Sequence, residues 1–126
     1  MIELNHSNYV NYLPINIIGF SYAYFGAQGE PGGVKIMDKE GKMFHFNYLD
    51  NEFSKNEIHA ICPIIKEIES DKKHKEWTEM YMGAGNYLYV NKSISHEVGE
   101  KAQEFKGISG ALFRNWPKII HEIIKK

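Results

Sequence analysis

From Ile15 to Phe25 the chain is apolar on alternate positions of both parities. Ile18, Phe20, Tyr22 and Tyr24 line one face, and Ile15, Ile17, Ala23 and Phe25 the other, with Gly19 and Ser21 between. A run of this length with two apolar faces predicts a central or doubly covered strand. Gly26 to Gly33 holds four glycines and Pro31 in eight residues and predicts a loop. Val34 to Met37 and Met43 to Leu49 then predict a hairpin, turned at Asp38-Lys39-Glu40-Gly41. Phe44, Phe46 and Tyr48 share one face of its second strand. The other face, Met43, His45 and Asn47, is more polar and is expected to be partly wet.

Ser54-Lys55-Asn56-Glu57 is a capping box, in which the serine accepts from a free amide and the glutamate reaches back. A helix is therefore predicted from there, with Ile58, Ile61, Ile65 and Ile68 as its apolar stripe. Pro63 either kinks this helix or opens a second one. Glu69 to Glu76 is charged and predicted to be exposed.

Trp77 to Met82 alternates again. It is followed by Gly83-Ala84-Gly85-Asn86 and then Tyr87-Leu88-Tyr89-Val90, a strand, tight turn and strand, because glycine and asparagine tolerate positive φ. Ser93 or Ser95 is the expected cap of the next helix, with stripe Ile94, Val98, Ala102 and Phe105. Asn115 is the expected cap of a last helix, with Pro117 in its first turn and Trp116, Ile119, Ile120, Ile123 and Ile124 facing the core. The sum is one α+β domain over residues 1–126. Its sheet is mainly antiparallel, of about five strands, with helices packed on one side.

Composition narrows the function classes. The chain has 126 residues, 43% hydrophobic and 25% charged, enough to build a core without disulfide or metal staples. Net charge is −1, and Arg114 is the only arginine. Nucleic-acid binding is not expected from a chain with no basic block and a single guanidinium fork. The one cysteine, Cys62, fits a reducing compartment. The Ile15 to Phe25 run is too short to span a bilayer and has no lysine or arginine before it, so a cytoplasmic protein without membrane attachment is expected.

Catalytic and cofactor motifs are weak. The Gly26 to Gly33 loop lacks the ending and glycine spacing of a phosphate-binding loop. The six histidines, His6, His45, His59, His74, His96 and His121, include no helical i, i+4 pair, and His59 with Cys62 does not close a zinc site. Cys62 lies between Ile61 and Pro63, an apolar setting that raises a thiol pKa. Neither a cofactor nor a metal is expected.

Tyrosines carry more information. Tyr22, Tyr24, Tyr48, Tyr81, Tyr87 and Tyr89 fall in predicted strands, where tyrosine fits a pleated surface but also suits an interface. The segment from Tyr81 to Val90, followed by two amphipathic helices, resembles small bacterial proteins, some of them similar to immunity proteins that neutralise a cognate toxin. The resemblance covers about the C-terminal third. It implies a mode of action, occlusion of a partner, and carries no residue roles with it.

The leading reading is accordingly a non-enzymatic module that binds another protein, such as a toxin domain. The expected contact residues are Asp38, Glu40, Glu76, Glu79, Tyr81, Asn86, Tyr87 and Tyr89, whose acidic members would meet a basic partner. The alternative is a small-molecule-binding domain or enzyme with a pocket under the Gly26 to Gly33 loop, near Tyr22, Tyr24 and His45. A third reading is a homo-oligomer joined through a sheet edge or the last helix.

Overall fold

The computed structural model describes residues 1–25, 30–47, 53–70, 74–83, 86–105 and 111–125, with side chains outside 23–31. Its strands are β1 (Ile2–Leu4), β2 (Ile17–Phe25), β3 (Glu30–Asp38), β4 (Met43–Asn47), β5 (Trp77–Gly83) and β6 (Asn86–Asn91). Its helices are α1 (Lys55–Ile61), α2 (Pro63–Ser70), α3 (Lys92–Ala102) and α4 (Ala111–Ile124), with short 3-10 turns at Tyr9–Tyr12 and Gln103–Phe105. The strands form one sheet in the order β1-β4-β3-β2-β6-β5. Every pairing is antiparallel except β1 with β4. The fold is α+β, as the sequence predicts.

The β2 strand has two apolar faces because both are covered. Cross-strand partners point to the same side of a sheet. Tyr22 pairs with Val34, and Val34 with Phe46, so these three share a face. That face packs Phe20, Val34, Ile36, Phe44 and Phe46 against Ile58 of α1 and Ile65 and Ile68 of α2. The opposite face packs Ile18, Met37, Leu88 and Val90 against Ile94 and Val98 of α3 and Trp116, Ile119 and Ile120 of α4. The expected one-sided packing is thus replaced by three layers, helix pair, sheet, helix pair. Each fully buried Leu, Ile or Phe contributes about 1.5–3 kcal/mol, so both layers matter to stability.

Local rules explain most boundaries. Ser54 caps α1 through a reciprocal box with Glu57, whose carboxylate accepts from the Ser54 amide at 3.0 Å. Three hydrogen bonds, led by the one from the Ser54 backbone, hold that carboxyl below its ordinary range. Pro63 opens α2, where its missing amide costs nothing, and Cys62 closes α1. The turn after β3 is held by Asp38 Oδ1, which accepts from the amides of Glu40 and Lys42 at 2.9 and 2.8 Å, with Gly41 at φ 93°.

Other boundaries differ from expectation. Asn91, not Ser93 or Ser95, caps α3, accepting from the Ser93 amide at 3.0 Å. Helix α4 starts at Ala111, so Pro117 lies inside it and Asn115 is no cap. Asn115 Nδ2 instead donates to the Ala111 carbonyl at 2.7 Å. Strand β3 begins at Glu30, so residues 30–33 are strand rather than loop, while 26–29 fall outside the described residues. The register shifts between Ala23 and Tyr24, opposite Pro31, which is where a strand tolerates proline. Gly33 sits at φ 152°, and a Cβ there would overlap the Phe46 carbonyl.

Candidate functional site

The β5–β6 hairpin forms where alternation and turn chemistry place it. Gly83 takes φ 93°, and Asn86 Nδ2 donates to the Gly83 carbonyl at 3.2 Å. Ala84 and Gly85 fall outside the described residues. Tyr81 pairs with Tyr87, and Glu79 with Tyr89. Among the described residues β5 is the last strand of the sheet, and its outer backbone edge has no strand partner. Tyr81 is 60% exposed and Tyr87 40%, and their rings meet at a centroid distance of 5.2 Å. Both rings reach solvent beside the open β5 edge, and tyrosine is a residue type enriched at protein interfaces.

Inward from this edge the same face becomes a polar corner. Tyr89 stacks on Phe20 with centroids 4.9 Å apart and planes 15° from parallel. Burial first, and then the charge and hydrogen bond of Glu79, push the Tyr89 hydroxyl pKa far up. The hydroxyl therefore stays protonated and donates to Glu79. Helices α1 and α2 bring Lys55, His59 and Glu69 to the corner. Glu69 Oε2 lies 3.6 Å from both Lys55 Nζ and His59 Nε2. Lys55 Nζ stands 5.6 Å from the centroid of the Tyr22 ring.

Electrostatics set this corner apart. The Glu69 side chain is only 18% exposed, and burial pushes its carboxyl up to about 7. His59 is pulled down from its ordinary value, first by burial and then by the charges of Lys55 and Lys66. Among the described residues, Glu69 Oε1 and His59 Nε2 are buried with no hydrogen-bond partner. Perturbed carboxyl, imidazole and phenol groups gathered in one place mark a functional-site candidate. Sequence reading missed Lys55, His59 and Glu69. The sequence predicts Glu69 on an exposed charged stretch, but it follows the buried Ile68 and lies one turn on from Ile65, which draws it to the sheet.

The expected contact residues do not all come together. Glu79, Tyr81, Tyr87 and Tyr89 share one face, and Asn86 sits at their turn. Asp38 and Glu40 lie at the other end of the sheet, next to the start of β2, where Lys39 donates to the Asn16 carbonyl. Asp38 is occupied by its own turn, and Glu40 pairs with Lys42 at 3.3 Å. Glu76 precedes β5, at the end away from the hairpin turn, and its carbonyl accepts from the Lys92 amide.

The alternative pocket is also divided. Tyr22 shares its face with Phe46, and His45 precedes Phe46 on the strand, so Tyr22 and His45 lie on opposite sides of the sheet. The side chain of Tyr24 is outside the described set. His45 is not on a wet face. It is 3% exposed, with Nδ1 2.8 Å from Glu3 Oε2, which ties β1 to β4.

Among the described residues no three His, Cys, Asp or Glu side chains converge on a common point, and no helix is long and apolar enough to cross a membrane. No protein-family model, curated protein or solved structure matches the chain.

Proposed function

We propose that the chain binds another protein and that the β5–β6 edge makes the contact. The observation that carries this reading is the exposed Tyr81–Tyr87 pair, with Tyr81 on the edge strand β5 and Tyr87 beside it on β6. Tyrosine gives large contact area at low entropic cost, and an open strand edge offers backbone donors and acceptors beside it. Glu79 on the same strand adds negative charge, which selects a basic surface over an acidic one. In its finer form the reading is an immunity-type inhibitor, which covers a cognate toxin domain in the cytoplasm of a bacterial producer.

A photo-crosslinking residue placed at position 81 or 87, expressed in the native host, tests the contact. One heterologous adduct at both positions, and none from position 96, an exposed site on the outer face of α3, is the expected result. An adduct only with a second copy of this chain would replace the reading with self-association. No adduct at either position would end it.

A further inference from the structure

We propose that the corner between Tyr22 and Glu69 is a cation seat, which accepts a guanidinium or ammonium side chain of the partner in the place now held by Lys55. The proposal rests on the protein-binding reading above and names one chemical group that the partner must supply.

Lys55 occupies the seat loosely. Its Nζ is 3.6 Å from Glu69 Oε2, beyond a good charge-assisted hydrogen bond, and 5.6 Å from the Tyr22 centroid, near the outer limit of a cation–π contact. The side chain is 58% exposed, so it can leave toward solvent. A tethered ammonium that reaches both groups without closing on either marks where a better-shaped cation fits. A guanidinium has five donors in a planar fork and stacks on an aromatic face, so it can meet Glu69 and Tyr22 together.

The charge balance favours such a guest. From α1 the corner receives Lys55 and His59, from α2 Glu69 with Lys66 acting on His59, and from β5 and β6 Glu79 and Tyr89. Among the described residues, Lys55 is the lysine within 4 Å of the Glu69 carboxylate, while Glu79 adds a second carboxylate beside Tyr89. A buried carboxylate with an unpartnered oxygen is costly until a cation restores its ionised form. Position also fits. Phe20 pairs with Tyr89 and Ser21 with Leu88, so Tyr22 lies next along the strand on the tyrosine face, and Ser21 Oγ donates to the Tyr87 carbonyl at 2.8 Å. A partner gripping Tyr81 and Tyr87 would hold its basic side chain over this corner.

Cation binding requires ionised Glu69, so affinity should rise with pH through about 7. The test is an NMR titration of the Tyr22 and Tyr89 ring signals with N-acetylarginine amide, with N-acetylcitrulline amide as the neutral isostere. Lys55→Ala, an exposed change with little risk to folding, should tighten arginine binding about threefold by removing the competitor. Glu69→Gln should weaken it about fivefold and abolish the pH dependence. Equal binding of citrulline, or no gain in Lys55→Ala, would overturn the seat. The titration needs no partner, so its failure is separable from failure of the crosslinking. Adducts at 81 and 87 without arginine binding overturn the seat alone. Arginine binding without adducts overturns the edge reading on which the seat depends.

Discussion

Tyr81 and Tyr87 stand directly opposite each other across the β5–β6 hairpin, ring against ring at 5.2 Å, yet both stay exposed to solvent, Tyr81 more than Tyr87. A cross-strand aromatic pair of this kind contributes about 0.2–1 kcal/mol to the sheet. A scaffold could obtain that from less conspicuous residues, which is why the pair reads as a contact surface.

Replacing both rings, Tyr81→Ser with Tyr87→Ser, should therefore cost less than about 1 kcal/mol in urea unfolding. Partner binding, measured by calorimetry once the crosslinked protein is identified, should fall by at least about tenfold, because exposed tyrosine anchors carry interface energy out of proportion to their number. A large stability loss would make the pair structural instead.

Two glycines at positive φ separate backbone strain from steric overlap. A Cβ at Gly83 would meet nothing within 4 Å, whereas at Gly33 it would overlap the Phe46 carbonyl and lie 2.7 Å from His45 Nε2. Gly83→Ala should cost about 1–2 kcal/mol, the left-handed penalty alone. Gly33→Ala should cost more than about 3 kcal/mol, because backbone must move or the β3–β4 pairing must open. Thermal unfolding of the two variants side by side checks the order.

Cys62 closes α1 inside the apolar core, and burial pushes its thiol up to about 11. At about pH 8 the reactive thiolate is then on the order of one part in a thousand. Native protein should react with iodoacetamide at least about a hundredfold more slowly than unfolded protein. Rapid native alkylation would mean that α1 and α2 separate readily.

What the sequence disclosed follows the range of the interactions. The capping box at Ser54, the hairpin ending at Asn86 and the turn at Asp38 rest on neighbours a few residues apart, and each was legible. Strand β1 is three residues long and pairs in parallel with a strand some forty positions on, so no local period announces it. Asn91 outcompeted Ser93 as a cap because the strand runs directly into α3 and leaves no separate linker. Pro117 suggested a helix start, but α4 begins earlier and keeps the proline within. The tyrosine edge was visible as a pattern. The polar corner was not, because only the packing of α1 and α2 on the sheet desolvates Glu69 and His59.

That desolvation fixes the sign of the pH dependence. Glu69 has an ordinary value of 4.5 and is raised to about 7 in the folded chain. Between these values the folded state holds a proton that the unfolded state has released, so stability falls as pH rises through the window. Below it the penalty is absent, and above it the penalty is complete. Screening at a partly exposed site limits it to about 1–2 kcal/mol. Glu69→Gln should therefore leave stability unchanged near pH 4 and raise it by about 1–2 kcal/mol near pH 8, with the slope between flattened. Urea unfolding at a series of pH values measures this directly. A variant less stable than the parent at every pH would show that the contacts of Glu69 with Lys55 and His59 outweigh its burial. The predicted gain matters for function, since the glutamine variant is also the one expected to lose arginine binding. A carboxylate that weakens the fold near neutral pH but holds a cation is what a site retained for binding looks like.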